Sequence, residues 1–293
     1  HQDMVDGNDF YGRCASTPYV FVFCGTSKYE GIRSVVNQDG TDGTVRLAGC
    51  PLNSRKITMD LTVEAGEEKS RAIFEPWPSL DIPLIPIGGL NHRTIISEPS
   101  EVLVDLVTKA LKVDSQNAFD AWLKYAQDVT DDTKQKTAKW QQFIVRVVDE
   151  RKDPVSDYYI EIFGENGKTL EQFDFDPHTY SGDKSLRCFH VNLDELDWAN
   201  MKSLQVRLIA SSGSKLIGYY GYGSQRINLD SQKKTSDGEW DCIIDMTKLL
   251  KDSEDFFSFF FPFTTTLIEI QINREPMPLG KNDLFKFISI TKS

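Results

Sequence analysis

In the first part of the chain, short apolar runs alternate with loops, and amphipathic helical patterns follow. Residues 19–24 form a continuous aromatic and β-branched run, which is typical of a strand buried on both faces of a parallel sheet. Residues 55–63 alternate apolar and polar side chains and predict a strand, and residues 85–87 are a strand-like segment before a glycine pair. Apolar positions at helical spacing predict helices over about 99–111 and 118–127.

From Trp140 onward the pattern changes to short, mostly alternating runs separated by turn residues. The strand candidates are residues 143–148, 158–163, 186–191, 204–209, 240–245 and 266–272. A series of short strands of this kind predicts an antiparallel β-sandwich. The predicted fold class is therefore α/β followed by all-β, with an α/β region at 1–127, a linker at 128–140 and a β-sandwich at 141–293. The polar stretch at 130–139 fits either a linker or a solvated helix.

Composition narrows the classes of function. A net charge of −11 argues against nucleic-acid binding, which depends on lysine and arginine neutralising phosphates. No apolar run reaches the roughly 20 residues that a membrane-spanning helix needs. The 5 cysteines are widely spaced without a CxxC, which favours free thiols and synthesis in the reducing cytoplasm. The N-terminal residues lack the features of a signal peptide, and later export as a secreted effector stays open.

Two loops carry the residues that suggest chemistry. Asn37–Arg46 is an acidic, glycine-rich loop after the 19–24 run, and its carboxylates belong to Asp39 and Asp42. His92 follows the glycine pair further along the chain. Imidazole titrates near neutral pH and can act as a general base, and a carboxylate can fix its tautomer. The alternative to a catalytic role is that both aspartates are turn residues in a surface loop.

These features resemble the C-terminal half of a serine α/β-hydrolase of the lipase and esterase kind. In that family the triad acid follows a late strand, the histidine comes later, and the nucleophilic serine comes earlier. The resemblance implies Asp42 as the catalytic acid, since Gly-Thr-Val follows it as in the family's acid loop, with Asp39 as the alternative acid and His92 as the base. It covers roughly 110 of the 293 residues and makes the helix at 99–111 the family's closing helix.

The nucleophile of such a triad is missing. Gly-x-Ser-x-Gly does not occur in the chain, and the serines of 211–214 and 221–224 come after the histidine, in the wrong order. We therefore expect part of a longer enzyme, a cleavage product or a degenerate homologue. Alone it would be inactive, and it would need an N-terminal hydrolase segment that carries the nucleophile. The implied reaction is hydrolysis of a carboxylic ester, with a phospholipid or other lipid as substrate, and it requires no cofactor or metal.

Fold-level analogy adds one expectation about biology. Type VI secretion lipase effectors also combine a hydrolase with an accessory domain, and an effector of this kind would need a cognate inhibitor protein.

A second hypothesis is a non-catalytic protein whose β-sandwich binds lipid or calcium. Asp149, Asp153 and Asp157 lie at predicted strand ends and offer the oxygen ligands that calcium prefers, although solvated turn acids are the simpler reading. The phenylalanine cluster at 256–263 would contact lipid or a partner if it were exposed, but we expect it to be buried.

Overall fold

The structure of the chain is a computed structural model. It describes residues 18–36, 40–52, 54–63, 72–74, 82–164, 167–171, 173–176, 182–214, 217–222, 239–247 and 259–276. The strands in these ranges are β1 (Val22–Gly25), β2 (Ser54–Asp60), β3 (Ala72–Phe74), β4 (Leu84–Ile87), β5 (Trp140–Asp149), β6 (Tyr158–Phe163), β7 (Phe173–Asp176), β8 (Leu186–Asn192), β9 (Gln205–Ser211), β10 (Ile217–Tyr220), β11 (Glu239–Asp245) and β12 (Thr265–Pro276). The α-helices are α1 (Thr94–Ser97), α2 (Glu101–Ala110) and α3 (Gln116–Lys136).

The α/β part is a parallel strand pair covered by helices. β1 and β4 run parallel and share a sheet. The hydroxyls of Ser100 and Ser115 accept backbone N–H groups at the starts of α2 and α3, which fixes where these helices begin. Trp122 of α3 packs edge-on against Phe21 at 4.4 Å between ring centroids and donates its indole N–H to the carbonyl of Leu106 in α2 at 3.0 Å. These contacts hold the two helices on the strand pair.

The remaining strands build two sheets that share one core. The larger sheet has the order β3-β2-β12-β5-β8-β7, with β10 also paired to β12, and the smaller has the order β11-β9-β6. Alternate residues of both sheets point to the same apolar cluster; examples are Ile57, Val145, Leu208, Ile244 and Ile270. The prediction of an α/β region followed by a β-rich region is therefore confirmed in this coarse form.

The strand pairing differs from an antiparallel sandwich in one respect. β12 runs parallel to both of its neighbours, β2 and β5, so the larger sheet is mixed. β2 belongs to the stretch assigned from the sequence to the hydrolase part, yet it lies beside β12 in the β-rich region. The physical reason is the alternation of apolar and polar residues in β2. One face is apolar, with Ile57 and Met59 inward, and this face fits the core between the two sheets. A strand of a parallel sheet covered on both sides is apolar on both faces.

The expected linker is largely helical. α3 continues to Lys136, so residues 128–136 are its last turns, with Thr130 buried on the inner face. β5 begins four residues after the end of α3. The domain limits at 127 and 141 stay a prediction, since the β2 pairing shows that chain position alone does not divide the two regions.

Candidate active site

The two predicted loops leave the same edge of the parallel strand pair. β1 and β4 are parallel, so their carboxyl ends lie side by side. The acidic loop follows β1 after a 3-10 turn at Gly31–Val36, and His92 follows β4 after a turn at Gly88–Gly89. In open α/β sheets, functional groups gather outside the carboxyl ends of the strands. The topology therefore brings together residues that are 50 positions apart.

The acidic loop is a tight turn built around Asp42. Its Oδ1 accepts the backbone N–H of Thr44 at 3.0 Å and of Val45 at 2.8 Å. The backbone N–H of Asp42 donates to the carbonyl of Val45 at 3.1 Å, which closes the turn. Gly43 has a φ of +98°, and a Cβ there would lie 2.7 Å from the ring of Tyr29. The backbone conformation and the packing against Tyr29 thus each require glycine at position 43, directly after Asp42.

Asp42 and His92 are hydrogen-bonded to each other. The Oδ2 of Asp42 lies 3.1 Å from Nδ1 of His92, and the backbone N–H of His92 donates to the backbone carbonyl of Asp42 at 2.9 Å. The Asp42 side chain is 7% exposed, whereas the His92 side chain is 47% exposed. A buried carboxylate that accepts from Nδ1–H fixes the tautomer in which Nε2 carries the lone pair.

The histidine loop is held by its own neighbours. The side-chain oxygen of Asn91 accepts the backbone N–H groups of Arg93 and Thr94, each at 3.0 Å, and so begins α1. The hydroxyl of Thr94 in turn accepts the N–H of Asn91 at 2.8 Å. His92 therefore sits on a backbone that is fixed from both sides. In the part of the chain that the structure describes, no hydroxyl or thiol is hydrogen-bonded to Nε2 of His92.

The other predicted site residues fall elsewhere. Asp39, the alternative acid, lies outside the described residues. Asp149 accepts the backbone N–H groups of Arg151 and Asp153 at 2.9 Å, and its second oxygen lies 3.5 Å from Arg274, so this carboxylate is occupied as a turn acid. Among the described residues, no three acids, histidines or cysteines cluster as metal ligands would.

Two further features are the phenylalanine cluster, which the sequence predicts to be buried, and the thiol of Cys24. Phe259 and Phe260 are buried in the core between the two sheets, while the start of the phenylalanine cluster, residues 256–258, lies outside the described ranges. Cys24 at the end of β1 is buried, and its hydrogen bond to Cys50 together with that burial raises the pKa of its thiol. A thiol held protonated in this way is not a nucleophile.

Sequence reasoning missed two aromatic residues that shape the acidic loop. Tyr29 packs on Gly43, and its hydroxyl lies 2.9 Å from that of Thr44. Trp140 packs on Gly40, where a Cβ would lie 2.4 Å from the indole ring. Neither has a sequence signal, because Tyr29 lies in a stretch without periodicity and Trp140 ends the predicted linker, just before the strand predicted at 143–148. In the described part of the chain, no helix combines the length and apolarity needed to cross a membrane.

No protein-family model and no curated protein sequence matches the chain. Solved structures do match in fold. The structure of phospholipase PlaB from Legionella pneumophila is 17% identical, with a TM-score of 0.66 over 93% of this chain. The same phospholipase in complex with thio-NAD is 16% identical, with a TM-score of 0.65 over 93% of this chain. The chain spans only 61% and 62% of the length of those structures. At such identity the likeness shows a shared fold.

Proposed function

We propose that this chain supplies the acid and the base of a serine ester hydrolase that acts on lipids. Asp42 is the acid and His92 is the base. The observation that carries the proposal is the 3.1 Å contact between Oδ2 of Asp42 and Nδ1 of His92, with the carboxylate buried and the imidazole half exposed. This is the arrangement that a triad needs, because it leaves Nε2 directed away from the acid.

The proposed reaction has two halves. Nε2 of His92 takes the proton of a serine hydroxyl as the serine oxygen attacks the ester carbonyl, and the imidazolium then gives that proton to the leaving alcohol. An acyl-serine remains. Water attacks its carbonyl carbon while His92 takes a proton from that water, and the imidazolium then returns the proton to the serine oxygen as the acyl–serine bond breaks and the carboxylic acid leaves. The Asp42 carboxylate is held by two backbone N–H groups and offsets the imidazolium charge.

The nucleophile would come from a segment outside these residues. Among the described strands, β1 pairs with β4 alone, and a further parallel strand beside β1 would extend this sheet. The chain also spans less than two thirds of the matched phospholipase structures. Both observations support a preceding hydrolase segment that adds strands to β1 and brings a serine to His92.

Exposed apolar side chains near the two loops support a lipid substrate. Ile32 is 95% exposed in the segment that leads to the acidic loop, and Ile96 is 85% exposed, four residues after His92. Val45, next to the Asp42 turn, is also exposed. Exposed apolar groups close in the chain to the site residues suit a substrate with acyl chains. Delivery as an effector and an inhibitor protein stay predictions.

The test is ester hydrolysis by a protein that joins this chain to the proposed nucleophile-bearing segment. We expect His92→Ala and Asp42→Asn to lower kcat on a phospholipid and on a soluble p-nitrophenyl ester by about 10⁴-fold. Asp60→Asn is the matched control, because Asp60 also accepts a backbone N–H within a turn, from Thr62 at 2.9 Å, but belongs to β2. Turnover that survives both site substitutions would refute the assignment and favour a non-catalytic binding protein.

A further inference from the structure

An apolar cavity of about 310 Å³ lies between helix α3, strand β4 and the segment 261–264. Neither Asp42 nor His92 lines it, so the cavity is separate from the proposed active site. Ligand sites in proteins are typically cavities of about 300–1,000 Å³ with mostly apolar walls and a few polar groups. The described walls of this cavity consist mainly of aliphatic, proline and phenylalanine side chains, among them Leu47, Ile82, Leu84, Ile85, Leu123 and Phe263.

The threonine hydroxyls in the wall of the cavity already donate to backbone carbonyls. Thr130 and Thr137 are buried, and each donates to the carbonyl of the residue four positions earlier at 2.7 Å. The hydroxyl of Thr264 donates to the carbonyl of Phe261 at 2.7 Å. A polar group placed inside the cavity would lose its contacts with water without gaining these donors, so the interior suits a hydrocarbon chain.

The volume of the cavity limits the length of such a chain. A water molecule takes about 30 Å³ of the liquid, and a methylene group is of similar size, so the cavity has room for roughly ten methylene groups. The two acyl chains of a phospholipid would exceed this volume, whereas a single chain of medium length fits.

Two polar side chains mark the end of the cavity that is open to solvent. Gln127 and Lys134 line the cavity, yet both are exposed residues of α3. They lie three and four positions from Thr130 and so share its face of the helix. Lys134 is the single charged residue among the described lining residues, and within the described part of the chain its ammonium group forms no ion pair. One anionic group at this opening could therefore accept from an ammonium group and from an amide.

We propose that this cavity binds the anion of a medium-chain fatty acid, with its chain along β4 and its carboxylate at Lys134 and Gln127. A carboxylate has one negative charge and two acceptor oxygens, which match one ammonium group and one amide. Fatty acids belong to the class of acids that ester hydrolysis releases, but their binding here requires neither the nucleophile nor turnover. The site therefore goes beyond the proposed function.

The test is calorimetric titration of the chain 1–293 with fatty acids of increasing length, each below its critical micelle concentration. Each methylene group that enters the cavity should strengthen binding by up to about fourfold. We therefore expect affinity to rise from octanoate to decanoate and to gain nothing from dodecanoate to tetradecanoate, because the longer chain no longer fits. Decan-1-ol is the comparison ligand, since it has the chain of decanoate without the charge.

Two variants of α3 locate the ligand, and each has a matched control. Leu123→Trp fills the cavity and should weaken the binding of decanoate at least tenfold, whereas Val129→Trp adds the same ring at an exposed position outside the cavity. Lys134→Met should weaken decanoate about twofold to fivefold, as expected for an exposed ion pair, and should leave decan-1-ol unchanged. Lys124→Met removes an exposed lysine that does not line the cavity and should change neither ligand.

Each outcome either supports or overturns the site. Decanoate binding that both Leu123→Trp and Lys134→Met weaken, with the expected limit in chain length, supports it. Failure of every acid to bind overturns it, as does affinity that keeps rising beyond dodecanoate or that either variant leaves unchanged. If circular dichroism shows that Leu123→Trp does not fold, the chain-length limit and Lys134→Met decide. Because no turnover is measured, failure of this site leaves the proposed hydrolysis standing.

Discussion

The two oxygens of the Asp42 carboxylate have separate tasks, and two substitutions separate them. Oδ1 accepts the N–H groups of Thr44 and Val45 and so shapes the loop, while Oδ2 meets Nδ1 of His92. Asp42→Asn keeps an oxygen that can accept both backbone N–H groups, but it presents an amide N–H₂ to the histidine. Asp42→Ala removes both functions. The two variants should therefore differ in stability and agree in their loss of catalysis.

The magnitudes follow from the hydrogen bonds. A hydrogen bond to a charged acceptor contributes about 1.5–3 kcal/mol, and one to a neutral acceptor about 1 kcal/mol. Asp42→Ala loses two bonds to a buried carboxylate, so we expect the free energy of unfolding to fall by about 3–6 kcal/mol. Asp42→Asn replaces both with neutral bonds of about 1 kcal/mol each, so we expect a loss of about 1–4 kcal/mol, which is about 2 kcal/mol less than in Asp42→Ala.

Two measurements on the chain 1–293 check this reasoning. Urea unfolding followed by circular dichroism gives the stability difference between the two variants. Nitrogen NMR of the imidazole gives the tautomer: His92 should carry its proton on Nδ1 in the wild type and on Nε2 in Asp42→Asn, because the amide donates to Nδ1. Asp60→Asn should leave that tautomer unchanged. Equal destabilisation by Asn and Ala, or an unchanged tautomer in Asp42→Asn, would show that the described contacts do not hold the loop.

Three further predictions concern the frame around the site. Gly43→Ala should lower the free energy of unfolding by about 2–4 kcal/mol in urea titration, since it adds left-handed backbone strain and a clash with the ring of Tyr29; wild-type stability would contradict the geometry. Ile57→Ala should cost about 3 kcal/mol by the same assay because it leaves a cavity in the shared core, whereas Thr58→Ser on the outer face should cost under about 1 kcal/mol. Trp122→Phe should cost about 1 kcal/mol through the lost bond to a carbonyl of α2, and no loss would show that this bond is not formed.

The sequence predicts best those structures whose hydrogen bonds join residues close together in the chain. The Asp42 turn depends on bonds to residues two and three positions away, so an Asp-Gly pair after an apolar run was enough to place it. The pairing with His92 spans 50 positions and needed the order of strand, acid, strand and histidine that α/β-hydrolases share. Helix α3 was predicted too short, because its last turns are polar on most faces and bury only Thr130.

The parallel pairing of β2 with β12 could not be predicted. An alternating strand indicates that one face is buried, but it does not indicate which of several apolar faces it will meet. Here the partner begins more than 200 positions away, with Thr265 opposite Ser54. Trp140 was missed for the same reason, since its contact with Gly40 joins residues 100 positions apart.

The position of β2 explains what the β-rich region does for the site. β2 lies between Asp42 and His92 in the chain, and its neighbour β12 is also paired with β5. The segment that joins the two site residues is therefore anchored in the larger sheet, while the site residues themselves lie at the edge of the β1–β4 pair. Trp140 strengthens this connection, because it begins β5 and packs on Gly40 of the acidic loop. Loss of the β-rich core would release the connection between Asp42 and His92 and also one wall of the acidic loop. In this protein the β-rich region is thus part of the frame that sets the distance between Asp42 and His92.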